Sequence, residues 1–331
     1  MLLLNPSTLL FMSTMTLGTI ISISSPTWFT SWLGLELNTM SFIPLILLNK
    51  NSFSSQAALK YFLIQAISSA TLMASAATLL ISTNSMTMMT MSLLLKMGAA
   101  PLHFWLPPLM QSLPWMQCLM LMTIQKIPPM ALMSYLISPQ TGSIFMVASI
   151  LSAMIGGIGG LNQTMMRKLM AFSSINHMSW MLAAIYLESS IWLNYFLVYS
   201  IVSCSLIIML NMNQIFHIKQ LFSMPNNQIY KISTLLSFLS LGGLPPLLGF
   251  IPKMMMTTLM VKQMMILWLF ILMMNTLLTL FYYTRISIMS FTFSVPSYYM
   301  NINYKFTKSS TGLLIINMLP IMTPLLTLIQ F

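Results

Sequence analysis

The chain has 331 residues, 57% of them hydrophobic and 5% charged, a formal charge of +11 and a mean hydropathy of +0.87. Soluble domains hold about a quarter charged residues, so a soluble globular fold is excluded. The bases are scattered singly apart from Arg167-Lys168, which excludes a stripe that tracks nucleic acid.

With about 20 apolar residues needed per crossing, the sequence predicts an all-α polytopic membrane helix bundle of about eleven spans. Short alternating segments of a lipid-embedded barrel are absent. In chain order the expected spans are 2–22, 26–48, 55–81, 86–106, 113–137, 142–162, 168–187, 191–216, 229–252, 259–285 and 308–329. The first begins at once without a basic leading region, so no cleavable signal is expected. Residues 286–307, rich in Ser, Asn and Tyr, are expected to form a loop. Trp28, Trp32, Trp105 and Trp115 fall near span ends and fit interfacial anchoring. GGIGG at 156–160 fits close helix packing. The 38 methionines are read as gap-filling apolar bulk.

Loops after spans two, six, eight and ten hold Lys50, Arg167 with Lys168, Lys219, and Arg285 with Lys305 and Lys308. Those after spans one, three, five and seven hold no Lys or Arg. The positive-inside rule then puts the N-terminus on the inner side and the C-terminus outside. Lys253 and Lys262 break the pattern, which suggests that Lys253 is held inside the protein.

Two pairs of segments match. KYFLIQAISSATLM from Lys60 resembles NYFLVYSIVSCSLI from Asn194, and LKMGAAPLHFWLP from Leu95 resembles LSLGGLPPLLGFIP from Leu239, aligning Gly98 with Gly242 and Pro101 with Pro245. The expected organisation is one membrane domain, with five-span repeats over about 1–138 and 139–286 and a last helix at about 308–329. An odd number of crossings inverts the second copy. Paired helix breaks in inverted repeats mark transporter folds with ion sites near the midplane. Pro101 and Pro245 each remove a helix hydrogen bond, and freed backbone groups at membrane depth are tolerated only in cavities or buried in protein.

Charges inside spans are the strongest functional signal, since each costs roughly 2.5–3.5 kcal/mol near the bilayer centre. Glu36 lies about mid-depth in span two and is the only acid placed to offset buried lysines. Lys96 lies mid-span, with His103 two helical turns on, roughly 10 Å by helix rise. Lys126 precedes Pro128-Pro129, which should interrupt span five. Lys253 follows Pro252. Burial pushes a lysine pKa down and a nearby carboxylate pushes it up, so a Lys–Glu pair of changing separation acts as a proton switch. Glu36, Lys96, Lys126 and Lys253 are the expected proton path, with Lys60, His103 and His177 as weaker members. Lys60 competes with a snorkelling reading, and the histidines with ordinary helix packing. No metal-ligand spacing and no phosphate-binding Gly-rich loop are present, and two cysteines cannot supply the roughly four thiolates of an iron–sulfur cluster.

The segments LGLELNTMSFIPL around Glu36, ALKYFLIQA at 58–66, LKMGAAPLHFWLPP at 95–108, QKIPP at 125–129, RKLMAFSSINHMSW at 167–180 and LGGLPPLLGFIPK at 241–253 together resemble the antiporter-like membrane subunits of respiratory complex I, NADH:ubiquinone oxidoreductase. Length and methionine content are similar to the copies in animal mitochondria, which lack the first three of fourteen helices. The resemblance implies a proton-translocating subunit of the membrane arm, multi-pass in the mitochondrial inner membrane, with its N-terminus on the matrix side and its C-terminus toward the intermembrane space. It implies that Glu36 pairs with Lys96 of the first broken helix, that Lys126 is the central lysine, and that Lys253 belongs to the second broken helix. It implies no cofactor on this chain, with NADH, FMN, iron–sulfur clusters and ubiquinone in other subunits. Partners are then neighbouring antiporter-like and small membrane-arm subunits, with lipids such as cardiolipin also admitted. A stand-alone cation/proton antiporter and a passive structural subunit are the rival readings.

Overall fold

The computed structural model describes residues 6–48, 51–79, 84–188, 190–222, 228–245 and 247–292. The expected helix at 308–329, most of the expected loop at 286–307, and Lys50, Lys305 and Lys308 lie outside them. The chain divides into two compact units, Met1–Ser152 and Ala153–Phe331. Every regular element among the described residues is helical, and the one strand-like feature is an isolated bridge between Met165 and His217.

The first unit holds α1 (Pro6–Ser24), α2 (Trp28–Leu47), α3 (Ser52–Ala77), α4 (Ser85–Met97), α5 (Leu106–Ser112), α6 (Trp115–Met122), a 3₁₀ turn (Ile124–Lys126) and α7 (Ile127–Ser134). Helix α8 (Pro139–Leu161) runs across the boundary. The second unit continues with α9 (Met166–Leu187), α10 (Ile191–Met212), α11 (Ile218–Phe222), α12 (Gln228–Gly242), α13 (Phe250–Lys262) and α14 (Ile266–Thr292). Helices α1, α3, α8, α10 and α14 are each long and apolar enough to cross a membrane.

Polarity is turned inside out relative to a soluble protein. Leu17, Ile67, Leu197 and Leu277 point outward, whereas Asn38, Gln65, Ser68, Thr90 and Ser173 are buried. Buried hydroxyls are satisfied locally: Ser68 donates to the Gln65 carbonyl, Thr90 to that of Thr87 and Ser173 to that of Met170. A lipid environment demands such closure, because no water is there to receive an open polar group.

The expected spans four, five and nine are each discontinuous, but the breaks are not made as the prolines suggested. Helix α4 ends at a left-handed Gly98 (φ 70°), three residues before Pro101, and α12 ends at a left-handed Gly243 (φ 79°). Glycine adopts this conformation without the Cβ penalty. Gly98 and Gly243 thus share the left-handed conformation, whereas Gly242 is the last residue of α12. Pro128 and Pro129 do not interrupt span five either. They start α7, where a missing N–H costs nothing, and the break precedes them at Thr123–Lys126.

Two further expectations are corrected. Helix α14 runs from Ile266 to Thr292, so Arg285 is helical rather than part of a loop, and 259–262 belong to α13. Trp105 and Trp115 are buried rather than interfacial. The Trp105 indole donates to the Leu95 carbonyl at 3.1 Å, in the last turn of α4.

The glycine-rich run of α8 brings backbones together. A Cβ on Gly156 would lie 2.6 Å from the Asn176 amide nitrogen and 2.8 Å from the Phe172 carbonyl. These are backbone atoms that cannot step aside. Gly156→Ala is expected to destabilise the second unit by about 1–3 kcal/mol, the usual range for overpacking. A lowered melting temperature of the purified assembly is the measurement; an unchanged one would mean that α8 and α9 separate freely.

Candidate functional site

In the first unit, four helices converge on the charges. Lys96 occupies the last turn of α4 and is 6% exposed. Its ammonium has no hydrogen-bond partner among the described residues, and Glu36 acts on it through space. Glu36, on α2, is half-buried and accepts a hydrogen bond from the Thr39 hydroxyl at 3.3 Å. The Gln65 amide donates to the Lys96 carbonyl at 3.4 Å, and its helix neighbour Tyr61 packs edge-on to Trp105 with centroids 6.2 Å apart. Lys126, 2% exposed, closes the 3₁₀ turn between α6 and α7. Beside it, Gln125 accepts from the Tyr61 hydroxyl at 3.1 Å and donates to the Asn38 side-chain oxygen at 2.9 Å.

The second unit holds its own set. Lys253, 6% exposed in the first turn of α13, donates to the Gly242 carbonyl at 2.8 Å, the last residue of α12. His177 is buried on α9, with Nδ1 3.1 Å from the Tyr195 hydroxyl and its ring 4.9 Å from that of Tyr199. Tyr283 packs edge-on to Tyr282 with ring centroids 4.6 Å apart. A cavity of about 10 Å³, the room of roughly one water, lies between His177, Tyr195, Tyr199, Ser240, Gly249 and Pro252. His177 thus faces the break that carries Lys253.

A common geometry emerges. Each buried lysine sits at a helix break: Lys96 in the last turn of α4, Lys126 in the 3₁₀ turn between α6 and α7, Lys253 on the final carbonyl of α12. At α4 and α12 the negative end of the helix dipole favours a cation where hydrocarbon would reject it.

Two weaker candidates change character. His103 does not lie two turns beyond Lys96 on one helix, because α4 stops at Met97. It sits buried in the break, its Nδ1 3.3 Å from the Pro101 carbonyl. Lys60 lies on the exposed face of α3 among exposed Leu59 and Leu63, apart from the buried groups. Such placement matches a snorkelling lysine. Asn38, Tyr61, Gln65, Gln125, Tyr195 and Tyr199 were missed by the sequence reading. The rule that flagged the lysines, polar groups inside apolar spans, would have found the three amides.

The family NADH:quinone oxidoreductase/Mrp antiporter, TM, matches residues 25–88 and 81–279. NADH-ubiquinone oxidoreductase chain 2 of Anopheles gambiae is 41% identical over 318 residues, covering 92% of this chain and 92% of its own length. The protein of that name from Aedes aegypti is 45% identical over 282 residues, with 82% of each chain covered, and that of Oryctolagus cuniculus is 36% identical over 339 residues, covering 98% and 96%. In fold, the chain is similar to a chain of respiratory complex I from Thermus thermophilus (TM-score 0.85, 21% identity, 98% of this chain and 79% of that one). It is also similar to a chain of the Mrp complex from Dietzia (TM-score 0.77, 13% identity, 95% and 74%). The chain belongs to the NADH:quinone oxidoreductase/Mrp antiporter transmembrane family.

Proposed function

We propose that Glu36, Lys96, Lys126 and Lys253 are the proton-carrying groups of this antiporter-like subunit in the membrane arm of complex I. The observation that carries the reading is the burial of three lysines at the breaks of membrane helices: Lys96 in the last turn of α4, Lys126 in the turn between α6 and α7, and Lys253 on the final carbonyl of α12. A cation held that way is poised to release or regain a proton when a neighbouring charge moves. Redox chemistry in other subunits shifts the charge balance near Glu36, Lys96 responds, and protons pass toward Lys126 and Lys253. His177 and His103 serve as side relays. The gap between Glu36 and Lys96 is the adjustable element, since the two interact without a hydrogen bond between them.

NADH, FMN, iron–sulfur clusters and ubiquinone belong to other subunits on this reading, in keeping with two cysteines against the roughly four that a cluster takes. The subunit sits in the mitochondrial inner membrane beside other antiporter-like and small membrane-arm subunits. Arg167 and Lys168 in the first turn of α9 and Lys219 in α11, rather than in loops as expected, still support a matrix-side N-terminus as a basic cluster at one end. A cleft of about 810 Å³ lined by His217, Lys219 and Arg285 over Leu161, Ile286 and Met289 supports an anionic lipid such as cardiolipin at that face.

Glu36→Gln tests the reading, because it keeps the shape and the acceptor for Thr39 while removing the charge. Protons moved per electron pair by sealed vesicles of the assembled complex should fall several-fold, with assembly unchanged. Poor assembly with normal proton output in whatever assembles would instead favour the structural-subunit reading.

A further inference from the structure

We propose that Gln125 is a positioning residue that ties the turn bearing Lys126 to the segment of α2 bearing Glu36. This inference rests on the proton-path reading of the two charges and adds the part that couples them.

The 3₁₀ turn is a weak point by construction. Helix α6 ends at Met122, Thr123 has a non-helical backbone (φ −113°, ψ −81°), and α7 starts only at Ile127. The turn closes on itself through Lys126 N–H to the Thr123 carbonyl at 3.1 Å and Ile127 N–H to that of Ile124. Those bonds fix its shape but not its place against α1, α2 and α3. Gln125 does that. Its amide nitrogen donates to the Asn38 side-chain oxygen at 2.9 Å, lies 3.4 Å from the Asn38 carbonyl and reaches the Met15 sulfur at 3.5 Å. Its oxygen accepts from the Tyr61 hydroxyl at 3.1 Å. One side chain therefore contacts three helices.

Each partner has a link to a charge. Asn38 lies two residues after Glu36 on α2 and is 2% exposed, so a shift of the Glu36 segment carries Asn38 with it. Tyr61 feels Glu36 electrostatically. One turn further along α3, Gln65 holds the carbonyl of Lys96. Peptide geometry makes Gln125 and Lys126 move together. Displacement of α2 is thus transmitted by a hydrogen bond rather than by loose apolar contact, and in a close-packed interior such elements have few alternative positions.

The test uses sealed membrane vesicles of the assembled complex with variants of this chain. Gln125→Leu, similar in size but unable to hydrogen-bond, should lower protons per electron pair at least two-fold. The amount assembled and electron transfer to a water-soluble artificial acceptor should be unchanged. Asn38→Leu should do the same, and the double variant should be no worse than Gln125→Leu alone, because the Gln125–Asn38 bond is already lost there. If Gln125→Leu does not assemble, Asn38→Leu carries the test instead: it removes the acceptor on α2 while leaving Gln125 bonded to Tyr61, and lowered protons per pair support the proposal. Unchanged protons per pair in the assembling variant, or additive losses in the double one, would overturn it. Lys126→Met distinguishes the two readings. If it too leaves proton output untouched, the path itself is wrong; if it abolishes output while the Gln125 variant does not, only the coupling role of Gln125 is wrong.

Discussion

Lys96→Met will leave the subunit assembled and stop it moving protons. Methionine is unbranched and adaptable, so it fills the tunnel left by the lysine stem at the end of α4. The fold does not need the ammonium, because it makes no hydrogen bond among the described residues and Glu36, left without it, is only half-buried. The carbonyl of residue 96 remains available to Gln65. What disappears is the group that answers Glu36. A positioned acid–base group contributes about 10²–10⁴-fold to proton transfer, and each proton is moved against roughly 2.3 kcal/mol per 100 mV. Coupled NADH oxidation should fall by about ten-fold or more, while electron transfer to an artificial acceptor persists. Proton uptake and release in sealed vesicles, normalised to assembled complex, is the measurement. Unchanged stoichiometry would remove Lys96 from the path.

Gly243→Ala is the second large effect, and Gly98→Ala is its internal comparison. Both glycines are left-handed, so either alanine costs about 1–2 kcal/mol of backbone strain. What the new methyl meets differs. At Gly243 a Cβ would lie 2.8 Å from Nζ and 3.0 Å from Cδ of Lys253, driving the ammonium off the Gly242 carbonyl. At Gly98 the nearest atoms are the Leu106 methyl at 2.9 Å and the Trp105 ring at 3.2 Å. The expected outcome is similar, mildly reduced assembly for both variants, with loss of most proton output in Gly243→Ala alone. Equal retention of output in both would mean that the bond from Lys253 to the end of α12 has no part in transport.

Several elements were legible before any coordinates because they follow from solvation alone. Hydrocarbon penalises every charge, so Glu36, Lys96, Lys126 and Lys253 stood out against their surroundings, and the helical segments between polar punctuation could be marked. The interruption of three spans was also visible in GAAP, QKIPP and GGLPP. Where each interruption falls was not. Proline marked the neighbourhood, but the chain leaves the helix at left-handed Gly98 and Gly243, and Pro128-Pro129 begin a helix. A local motif can start or stop a helix, and the choice depends on what receives the freed carbonyls. In the first unit Gln65 and Trp105 donate to the last carbonyls of α4, and a reading by position put Trp105 at the membrane surface.

The amino-acid order by itself determined that the chain is a membrane helix bundle with ionisable groups inside it, because apolar length and isolated charge are local properties that lipid selects directly. Only the tertiary structure decided that Lys60 faces outward while Lys96 faces inward, that His177 looks toward the break of α12, and that Gln125 joins Met15, Asn38 and Tyr61. The physical reason is range. A hydrogen bond acts over about 3 Å in space, yet its partners here stand 64 to 110 residues apart along the chain, and nothing in a local pattern of residues measures that closure.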